Sequence, residues 1–495
     1  MKNRSSCTLI HRNPMSINRR LFLQGSSALV LPVVLLARAA PAQGSGPHLA
    51  TGTRVGEVTA SSAIVWARLT AEPLRNNGGL LIPGRHKAAK AIPVPVEQLE
   101  GACPGTPGRL RLRYGPREDL QDAKICEWVE VGEKSDFAHH FHLKDLQPST
   151  LYYYVAEAAQ PGSGEIRGSF RGRFETATAP TQPSELTFCV MTCQGYPDRD
   201  HKDGHEIYPS MLALKPRFAV LSGDLVYYDS DAPSAVTPRL ARFHWERMFS
   251  LPRLLEFNRS VATYWQKDDH DTVKNDAWPG QKLGELTFAE GEAIFQQQAP
   301  LGEGVDYRTV RWGRDLQVWF TEGRDFRSPN TQNDGPDKTI WGKEQKEWFK
   351  RTVLESAATW KILVSPTPLV GPDRGKGKND NHANLGFQHE GDELRQWMQQ
   401  HVPDNFFVIC GDRHWQYHSI HPETKVREFS CGPASDEHAG GSPGENKDYH
   451  KFHRVKGGFL AVTLRPEAQA SFLKFELRDV KGQVVHTAEF KRPPA

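Results

Sequence analysis

Residues 186–196 read LTFCVMTCQGY and residues 218–227 read FAVLSGDLVY. In both stretches a short apolar run ends in a polar string, which is typical of a buried parallel strand that leads into a loop. Residues 261–271 (VATYWQKDDHD) and 406–414 (FFVICGDRH) repeat the pattern. Functional groups of layered α/β domains gather on loops that leave the carboxyl ends of strands. The four stretches therefore predict an α/β domain with its site at these strand ends.

The rest of the chain between 185 and 465 alternates between short apolar runs and helical patterns, as expected of a layered α/β domain. Further strands are predicted at 316–320 and 360–364, and helices at 238–249, 343–356 and 393–401. Strand patterns return at 459–464, 472–477 and 484–490. We expect an α/β domain over 185–465, followed by C-terminal strands over 466–495 that pack on it.

The region from 47 to 176 is typical of an all-β module, because short strand patterns alternate with Gly- and Pro-rich turns. Within it, LQPSTLYYY at 146–154 resembles the corner of fibronectin type III modules. We predict a fibronectin- or immunoglobulin-like sandwich over 47–176, with a linker at 176–184. Such a module either packs against the α/β domain or binds a polymer or the cell wall.

The first 42 residues predict an export signal. Residues 16–24 (SINRRLFLQ) place two adjacent arginines before an apolar stretch at 26–36, and Ala40-Pro41-Ala42 forms a small-residue cleavage site. This pattern resembles a twin-arginine signal peptide, which implies the twin-arginine export machinery as a partner and a periplasmic or secreted location. An ordinary secretory signal is the alternative. No later stretch reaches the ~18 apolar residues of a membrane span, so we expect no transmembrane segment in the mature protein.

Composition narrows the class of protein further. The 62 Lys and Arg residues nearly balance the 59 Asp and Glu residues, for a formal net charge of +3. We therefore do not expect nucleic acid as a binding partner. Seven cysteines in 495 residues do not make a disulfide framework. Cys103 and Cys126 either pair in an oxidising compartment or remain two thiols.

Metal-binding side chains concentrate at the four strand ends. Asp224, Asp269 and Asp412 offer hard carboxylate oxygens, and His414 offers an imidazole nitrogen. Two cations ~4 Å apart can neutralise a phosphate ester and generate hydroxide at neutral pH, and Asp224 is the candidate bridge between them. His270 lies beside a candidate ligand, where it can stabilise the phosphate or protonate the leaving oxygen. We predict Asp224 and His270 as catalytic residues.

The order Gly-Asp, then Asp-Asp-His-acidic, then Gly-Asp-x-His resembles the PhoD-like (alkaline phosphatase D) branch of the calcineurin-like metallophosphoesterases. TCQGY at 192–196 fits the same branch, because most of that superfamily has Asp-x-His in its place. The resemblance implies a ferric iron held by Cys193, Asp224 and Tyr227, with calcium alongside. The implied metal ligands are Cys193, Asp224, Tyr227, Asp269, Asp412 and His414. Thiolate and phenolate are anionic donors that favour a trivalent ion.

The resemblance extends over residues 47–465 and implies a four-layer α/β/β/α metallophosphoesterase sandwich. It also implies an exported alkaline phosphatase or phosphodiesterase that uses a metal-bound hydroxide, without a covalent enzyme intermediate. Further similar blocks are WARLT at 66–70, GRDFRSPN at 323–330, WGKEQKEWF at 341–349 and ATWKILVSPTPL at 358–369. Within them, Arg324 and Arg327 either bind phosphate bidentately or form structural salt bridges.

The chain departs from the family pattern at Thr192, where Ser is usual, and at Asp271, where Glu is commoner. It also lacks a clear C-terminal helix of the kind that covers the site in some members, which leaves the substrate class open. Asn381 and His382 are possible further contributors to the ligand set of the second metal. His438, His450 and His453 either line the site or lie in surface loops.

Two alternatives to a phosphomonoesterase remain open. One is a phospholipase D-like diesterase, because the family contains both activities. The other is an exported, non-catalytic binding protein with a decayed site. A complete set of metal-binding side chains argues against the second, because isolated buried carboxylates are costly without a cation.

Overall fold

The computed structural model describes residues 46–84, 92–304, 306–375 and 379–494. The predicted signal peptide, residues 1–42, lies outside these ranges. Among the helices in the described ranges, none is long and apolar enough to cross a membrane. Cys103 and Cys126 are separate thiols in the structure, which agrees with the second of the two alternatives above.

In the described ranges, the secondary structure consists of many short strands and seven α-helices. The first strands are β1 Thr53–Gly56, β2 Ala63–Arg68, β3 Gly108–Gly115, β4 Lys124–Ile125, β5 Val129–Val131, β6 Ala138–Leu143, β7 Leu151–Ala159 and β8 Ile166–Glu175. They are followed by β9 Leu186–Met191, β10 Phe218–Ser222, β11 Ala262–Gln266, β12 Lys282–Leu283, β13 Leu286–Thr287, β14 Arg308–Trp312, β15 Leu316–Phe320 and β16 Trp360–Ser365. The last strands are β17 Phe406–Cys410, β18 Gln416–Ile420, β19 Arg427–Cys431, β20 His450–Arg454, β21 Phe459–Pro466, β22 Ser471–Arg478 and β23 Val484–Arg492. The helices are α1 Ile207–Ala213, α2 Pro238–Phe249, α3 Pro252–Asn258, α4 Asp269–Thr272, α5 Phe288–Gln298, α6 Gly342–Glu355 and α7 Gln388–His401.

The first large sheet has nine strands in the order β23-β22-β21-β9-β10-β11-β1-β2-β6. Its central strands β9, β10 and β11 run parallel, and every residue of β10 and β11 is buried. Strand β1 pairs in parallel with β11, so β1, β2 and β6 of the N-terminal region continue the central sheet. The C-terminal strands β21 to β23 extend its other side.

The remaining N-terminal strands form a separate sheet in the order β4-β3-β7-β8, with β5 also paired to β3. In β7, the hydroxyl oxygen of Tyr152 accepts the backbone N–H of Gln147 at 2.9 Å, as in the tyrosine corners of immunoglobulin-like domains. The strands of the N-terminal region are thus shared between this sheet and the central sheet. A fibronectin-like module over 47–176 therefore stays a prediction.

The second large sheet has seven strands in the order β14-β15-β16-β17-β19-β18-β20. The largest cluster of buried apolar side chains draws on both large sheets. Within it the ring of Phe218 stacks on Phe188, with centroids 4.6 Å apart, and on Trp312, with centroids 4.7 Å apart. Full burial of one such side chain contributes about 2 to 3 kcal/mol, so this cluster is a principal source of stability.

Two further clusters join the helices to the opposite faces of these sheets. Side chains of α1, α2, α3 and α5 pack with alternate residues of β9 and β10, and side chains of α6 and α7 pack with alternate residues of β15 to β17. Mixed sheets with helices against them confirm the coarse α/β prediction. The predicted bounds of α7 were too short: it begins at Gln388 rather than 393, because its first turn contains Gly391 and charged residues instead of apolar ones.

The carboxyl ends of β10 and β17 approach closely although the strands belong to different sheets. A Cβ atom on Gly411 would lie 2.3 Å from the carbonyl oxygen of Ser222 and 2.7 Å from that of Pro366. Gly223 has a φ of +79°, and a Cβ there would lie 2.7 Å from the Cβ of Asp268. Glycine is required at both positions, which explains the glycine of each Gly-Asp motif and brings the loops of both sheets to one place.

Candidate metal centre

Three of the predicted ligands have an uncommon backbone conformation. Cys193, Asp224 and Asp412 have φ values of +54°, +55° and +60°, in the left-handed region. A residue with a side chain adopts this region at a cost of order 1 to 3 kcal/mol, and such residues cluster at functional sites. Each of the three lies two residues beyond the end of β9, β10 or β17. The backbone thus turns sharply at three strand ends to present these side chains.

The first group of donor atoms comes from four of the predicted ligands. The Sγ of Cys193 lies 3.4 Å from Oδ2 of Asp224, and the hydroxyl of Tyr227 donates to the same oxygen at 3.1 Å. The Tyr227 oxygen is also 3.3 Å from Nε2 of His414. Donor atoms of Cys193, Asp224 and His414 all lie within 4.8 Å of one another. The structure therefore brings together a thiol, a carboxylate, a phenol and an imidazole.

The second group surrounds the other side of Asp224. Donor atoms of Asp224, Asp269 and His270 lie within 4.8 Å of one another, and so do those of Asp224, Asp268 and Asp412. Asp224 belongs to all three groups, which is the arrangement needed for a bridging carboxylate. The sequence did not single out Asp268. Asp268 adjoins Asp269 in one acidic string. The two side chains belong to different donor groups because α4 begins at Asp269 and turns the backbone there.

The donor set fits cations because some of its buried carboxylate oxygens have no hydrogen bond to offset the cost of their burial. Oδ1 of Asp224 and Oδ2 of Asp268 are buried without a hydrogen-bond partner, and both residues are at most 1% exposed. Burial raises the pKa of Asp224 well above its usual range; His270 opposes the shift, and Asp269 and Asp268 add to it. Burial also raises the pKa of the Cys193 thiol, and the negative charge of Asp224 raises it further. Bound cations would reverse these penalties.

His270 is held by a carboxylate outside the donor groups. Its Nδ1 lies 2.6 Å from Oδ1 of Asp229, and only 9% of the residue is exposed. Burial acts to lower the pKa of His270, but the charges of Asp229, Asp269 and Asp224 outweigh it and raise the pKa well above the ordinary value. With Nδ1 hydrogen-bonded to Asp229, Nε2 is the ring nitrogen left to act on a substrate.

The two arginines predicted as possible phosphate ligands already have protein partners. Arg324 is fully buried, with Nε 2.5 Å from Oδ1 of Asp268 and Nη2 3.7 Å from Oδ1 of Asp269. Arg327 donates from Nη2 to the carbonyl oxygen of Asp380 at 2.7 Å. These contacts favour the structural salt bridge for Arg324. Phosphate binding by either arginine stays a prediction.

Asp412 is accompanied by its neighbour Arg413, which is 1% exposed. The guanidinium of Arg413 contacts the Asp412 carboxylate, and its Nη1 lies 2.6 Å from Oδ2 of Asp373. Asn381, a possible contributor to the second metal, instead donates to Asp373 at 2.9 Å. Neighbouring His382 is hydrogen-bonded to Glu390 and belongs to none of the candidate donor groups in the described ranges.

The other three histidines that the sequence left open have different environments. His438 lies at the donor cluster, with Nε2 2.8 Å from the hydroxyl of Tyr227. His450 and His453 lie on β20, where Nδ1 of His450 accepts the N–H of Asn446 and His453 contacts Ser442. The structure thus places only His438 beside a predicted ligand. No spacing pattern in its loop could have identified it.

Two facing mixed sheets with a shared carboxylate at their strand ends define a metallophosphoesterase-like fold. The structure of PhoD is similar, with a TM-score of 0.68 at 18% identity over 92% of each chain. Purple acid phosphatase PPD1 from yellow lupin (Lupinus luteus) seeds gives a TM-score of 0.59 at 14% identity, over 89% of this chain and 74% of that one.

The sequence comparisons specify the family. A model described as PhoD-like phosphatase matches residues 188–467, and one described as the PhoD-like phosphatase N-terminal domain matches residues 36–178. Alkaline phosphatase D of Bacillus subtilis (strain 168) is 23% identical over 457 aligned positions, and the match covers 81% of this chain and 71% of that protein. The chain belongs to the PhoD-like phosphatase family, as its motifs predicted, and is a phosphoric ester hydrolase.

Proposed function

We propose that this protein is an exported, metal-dependent hydrolase of phosphate esters with a binuclear centre. The observation that carries the proposal is Asp224, a buried carboxylate common to three groups of donor atoms at the ends of β9, β10, β11 and β17. One oxygen of Asp224 lies near Cys193 and Tyr227, and the other is buried without a hydrogen-bond partner. Asp224 therefore has the geometry of a ligand between two cations.

We assign different chemistry to the two halves of the centre. Cys193, Tyr227, Asp224 and His414 would hold the first cation, and their thiolate and phenolate favour Fe³⁺. Asp224, Asp268, Asp269 and Asp412 would hold the second through carboxylate oxygens, which suit Ca²⁺. This set adds Asp268 to the ligands predicted from the sequence. When bound, such cations polarise phosphoryl oxygens and acidify water.

The protein side chains then provide orientation and a proton. Asp229 orients His270 through its Nδ1, which leaves Nε2 to donate a proton to the leaving oxygen of the ester. Arg324 balances the charges of Asp268 and Asp269 from the side away from solvent, because it is fully buried. This arrangement keeps a strongly acidic cluster folded and leaves the substrate phosphate to interact with the cations and His270.

The proposal is tested on the protein without residues 1–42. Metal content and the visible spectrum are measured first, then the rates on p-nitrophenyl phosphate and bis-p-nitrophenyl phosphate with and without calcium. We expect a coloured iron protein, because iron–tyrosinate charge transfer absorbs visible light, with hydrolysis of at least one ester. The ratio of the two rates distinguishes a monoesterase from a diesterase.

Asp224→Asn is the variant that should lose function. Asp436→Asn is its matched control, because Asp436 is a partly exposed carboxylate that pairs with Lys456. We expect Asp224→Asn to lose iron and activity and Asp436→Asn to keep both. A colourless protein that stays inactive on both esters after metal reconstitution would overturn the proposal in favour of an exported binding protein.

Export through the twin-arginine route is a separate part of the proposal and is supported by the sequence of residues 16–42. This route carries folded proteins, so the metal centre would assemble before export. Residues 1–42 fused to a reporter should direct it to the periplasm, and replacement of Arg19 and Arg20 by lysine should retain it in the cytoplasm. Export unchanged by the double substitution would favour an ordinary secretory signal.

A further inference from the structure

Tyr227 has a further contact in addition to the donor atoms around Asp224. Nε2 of His438 lies 2.8 Å from the Tyr227 hydroxyl, and the two rings are tilted at 61° with centroids 4.9 Å apart. His438 is 4% exposed and lies in the loop between β19 and β20. The phenol oxygen is therefore contacted by His438 in addition to Asp224 and His414.

His438 is in turn fixed by a carboxylate. Its Nδ1 lies 2.5 Å from Oδ2 of Asp198, which is 8% exposed. An ionised Asp198 accepts this hydrogen bond from Nδ1–H, and Nε2 is the nitrogen that faces the phenol. Asp198 ends the short turn Tyr196–Asp198, which follows Cys193 in the same loop. One loop thus contributes both a predicted iron ligand and the residue that orients His438.

His438 acts beside the donor cluster rather than within it. In the described part of the chain, it is absent from every group of side chains whose donor atoms lie within 4.8 Å of one another. Its ring lies 4.4 Å from that of His414, centroid to centroid. A carboxylate–histidine pair that fixes a first ligand is a known way to set the orientation and basicity of that ligand.

We infer that Asp198 and His438 form a positioning pair that holds the Tyr227 phenol oxygen toward the cation bound by Cys193 and Asp224. The inference rests on the proposed iron site. It assigns a role to residues that lie outside the sequence motifs of the site. Without the pair, the phenol can rotate about its side-chain torsions, so metal affinity falls and the iron–tyrosinate absorption weakens or shifts.

The experiment compares His438→Gln, His438→Ala, Asp198→Asn and Asp198→Ala with the wild type in the metal-loaded protein. His453→Gln is the matched control, because His453 is a half-buried histidine on β20 that hydrogen-bonds to Ser442 and lies outside the donor groups of the described ranges. Iron content under limiting metal, the visible spectrum and Tm are measured on each. Asp198→Asn preserves side-chain shape and an acceptor oxygen, so it is expected to remain folded.

We expect the alanine variants to lower iron affinity by about 10- to 100-fold, as is usual for outer-shell partners of metal ligands, and to weaken or shift the visible band. His438→Gln and Asp198→Asn should show smaller effects in the same direction, because each retains a hydrogen-bonding group. The His453→Gln spectrum should match that of the wild type.

Three outcomes would overturn the inference. Variants with lower Tm but an unchanged band would reduce the pair to a structural role. Variants with lost activity but unchanged iron and band would place it in the reaction instead. A wild type without iron or colour would remove the proposed iron site itself, and this result is recognisable before any variant is made.

Discussion

The carboxylate of Asp271 accepts the backbone N–H of Asp224 at 2.7 Å, so the residue that ends the third motif fixes the residue at the centre of the second. The same carboxylate accepts the N–H groups of Leu225 at 2.6 Å, Val226 at 2.9 Å and Asp268 at 3.0 Å. With Asp268 it forms the capping box of α4. Asp271 thus holds the left-handed turn at Asp224, a conformation that costs energy on its own.

Replacement of Asp271 by Asn should therefore destabilise the loop of Asp224 more than the same replacement at an ordinary helix cap destabilises its helix. An amide retains one acceptor oxygen but brings its NH₂ group against backbone N–H donors, which should cost about 2 to 3 kcal/mol. We expect lower Tm and lower metal content at limiting metal. Glu290→Gln is the control, because Glu290 completes the exposed capping box of α5 and Gln also serves there. Equal metal content in the two variants would contradict this role of Asp271.

Asp224→Asn should change stability in opposite directions with and without metal. In metal-free protein the buried oxygen of Asp224 lacks a hydrogen-bond partner, so the neutral amide should be at least as stable as the wild type. With metal, the wild type gains the free energy of binding and the variant does not. Tm measured in chelator and after metal addition checks both halves. An Asp224→Asn variant that metal stabilises as much as the wild type would rule out this residue as a ligand.

The sequence predicts the strand ends of the site well, because a buried parallel strand and its polar loop are both local patterns. Strands β9 and β17 lie where the apolar runs place them, and the structure brings Cys193, Asp224 and His414 together beyond strand ends. The sequence could not rank Asp268 against Asp269, because which carboxylate faces Asp412 depends on the backbone turn that starts α4.

Contacts between distant segments account for most of what the sequence missed. The pairing of β1 with β11 joins residues about two hundred positions apart, and no local pattern specifies a partner at that separation. The same holds for the bond between Asp198 and His438, whose loops follow strands of different sheets. The sequence likewise left Arg324 open between a phosphate ligand and a structural salt bridge, and its buried partner in the structure is Asp268.

Glu390 should make stability depend on pH in the acidic range. Burial acts to raise the pKa of this carboxyl, but hydrogen bonds from His382, Thr339 and the N–H of Ile340 lower it to about 2 from an ordinary value of 4.5. Because the folded-state pKa is depressed, the stabilisation is complete above pH 4.5 and is lost as pH falls toward 2. A difference of this size corresponds to about 3 kcal/mol.

Glu390→Gln should remove this dependence. Its free energy of unfolding, measured with urea between pH 5 and 3, should fall less steeply with decreasing pH than that of the wild type. Glu393→Gln serves as the comparison, because Glu393 lies on the same helix, also pairs with Lys346, and has a side chain that is 38% exposed. Solvent screening should make its effect smaller. Parallel pH profiles for the wild type and Glu390→Gln would show that Glu390 titrates alike in both states.

Arg413 should be energetically coupled to Asp373, because the two side chains are buried and 2.6 Å apart. Replacement of Arg413 by Met leaves the carboxylates of Asp373, Asp380 and Asp412 without their shared cation and should cost about 3 to 5 kcal/mol. The double variant Arg413→Met, Asp373→Asn should lose less than the sum of the single changes, by about 0.5 to 3 kcal/mol. Urea unfolding of the four proteins gives this coupling energy.

Arg374→Met is the control, since Arg374 is more exposed and lies 3.4 Å from the same carboxylate. Additive effects of the two single changes would mean that Asp373 does not hold Arg413 in place, and the orientation of Asp412 would then have to depend on other contacts.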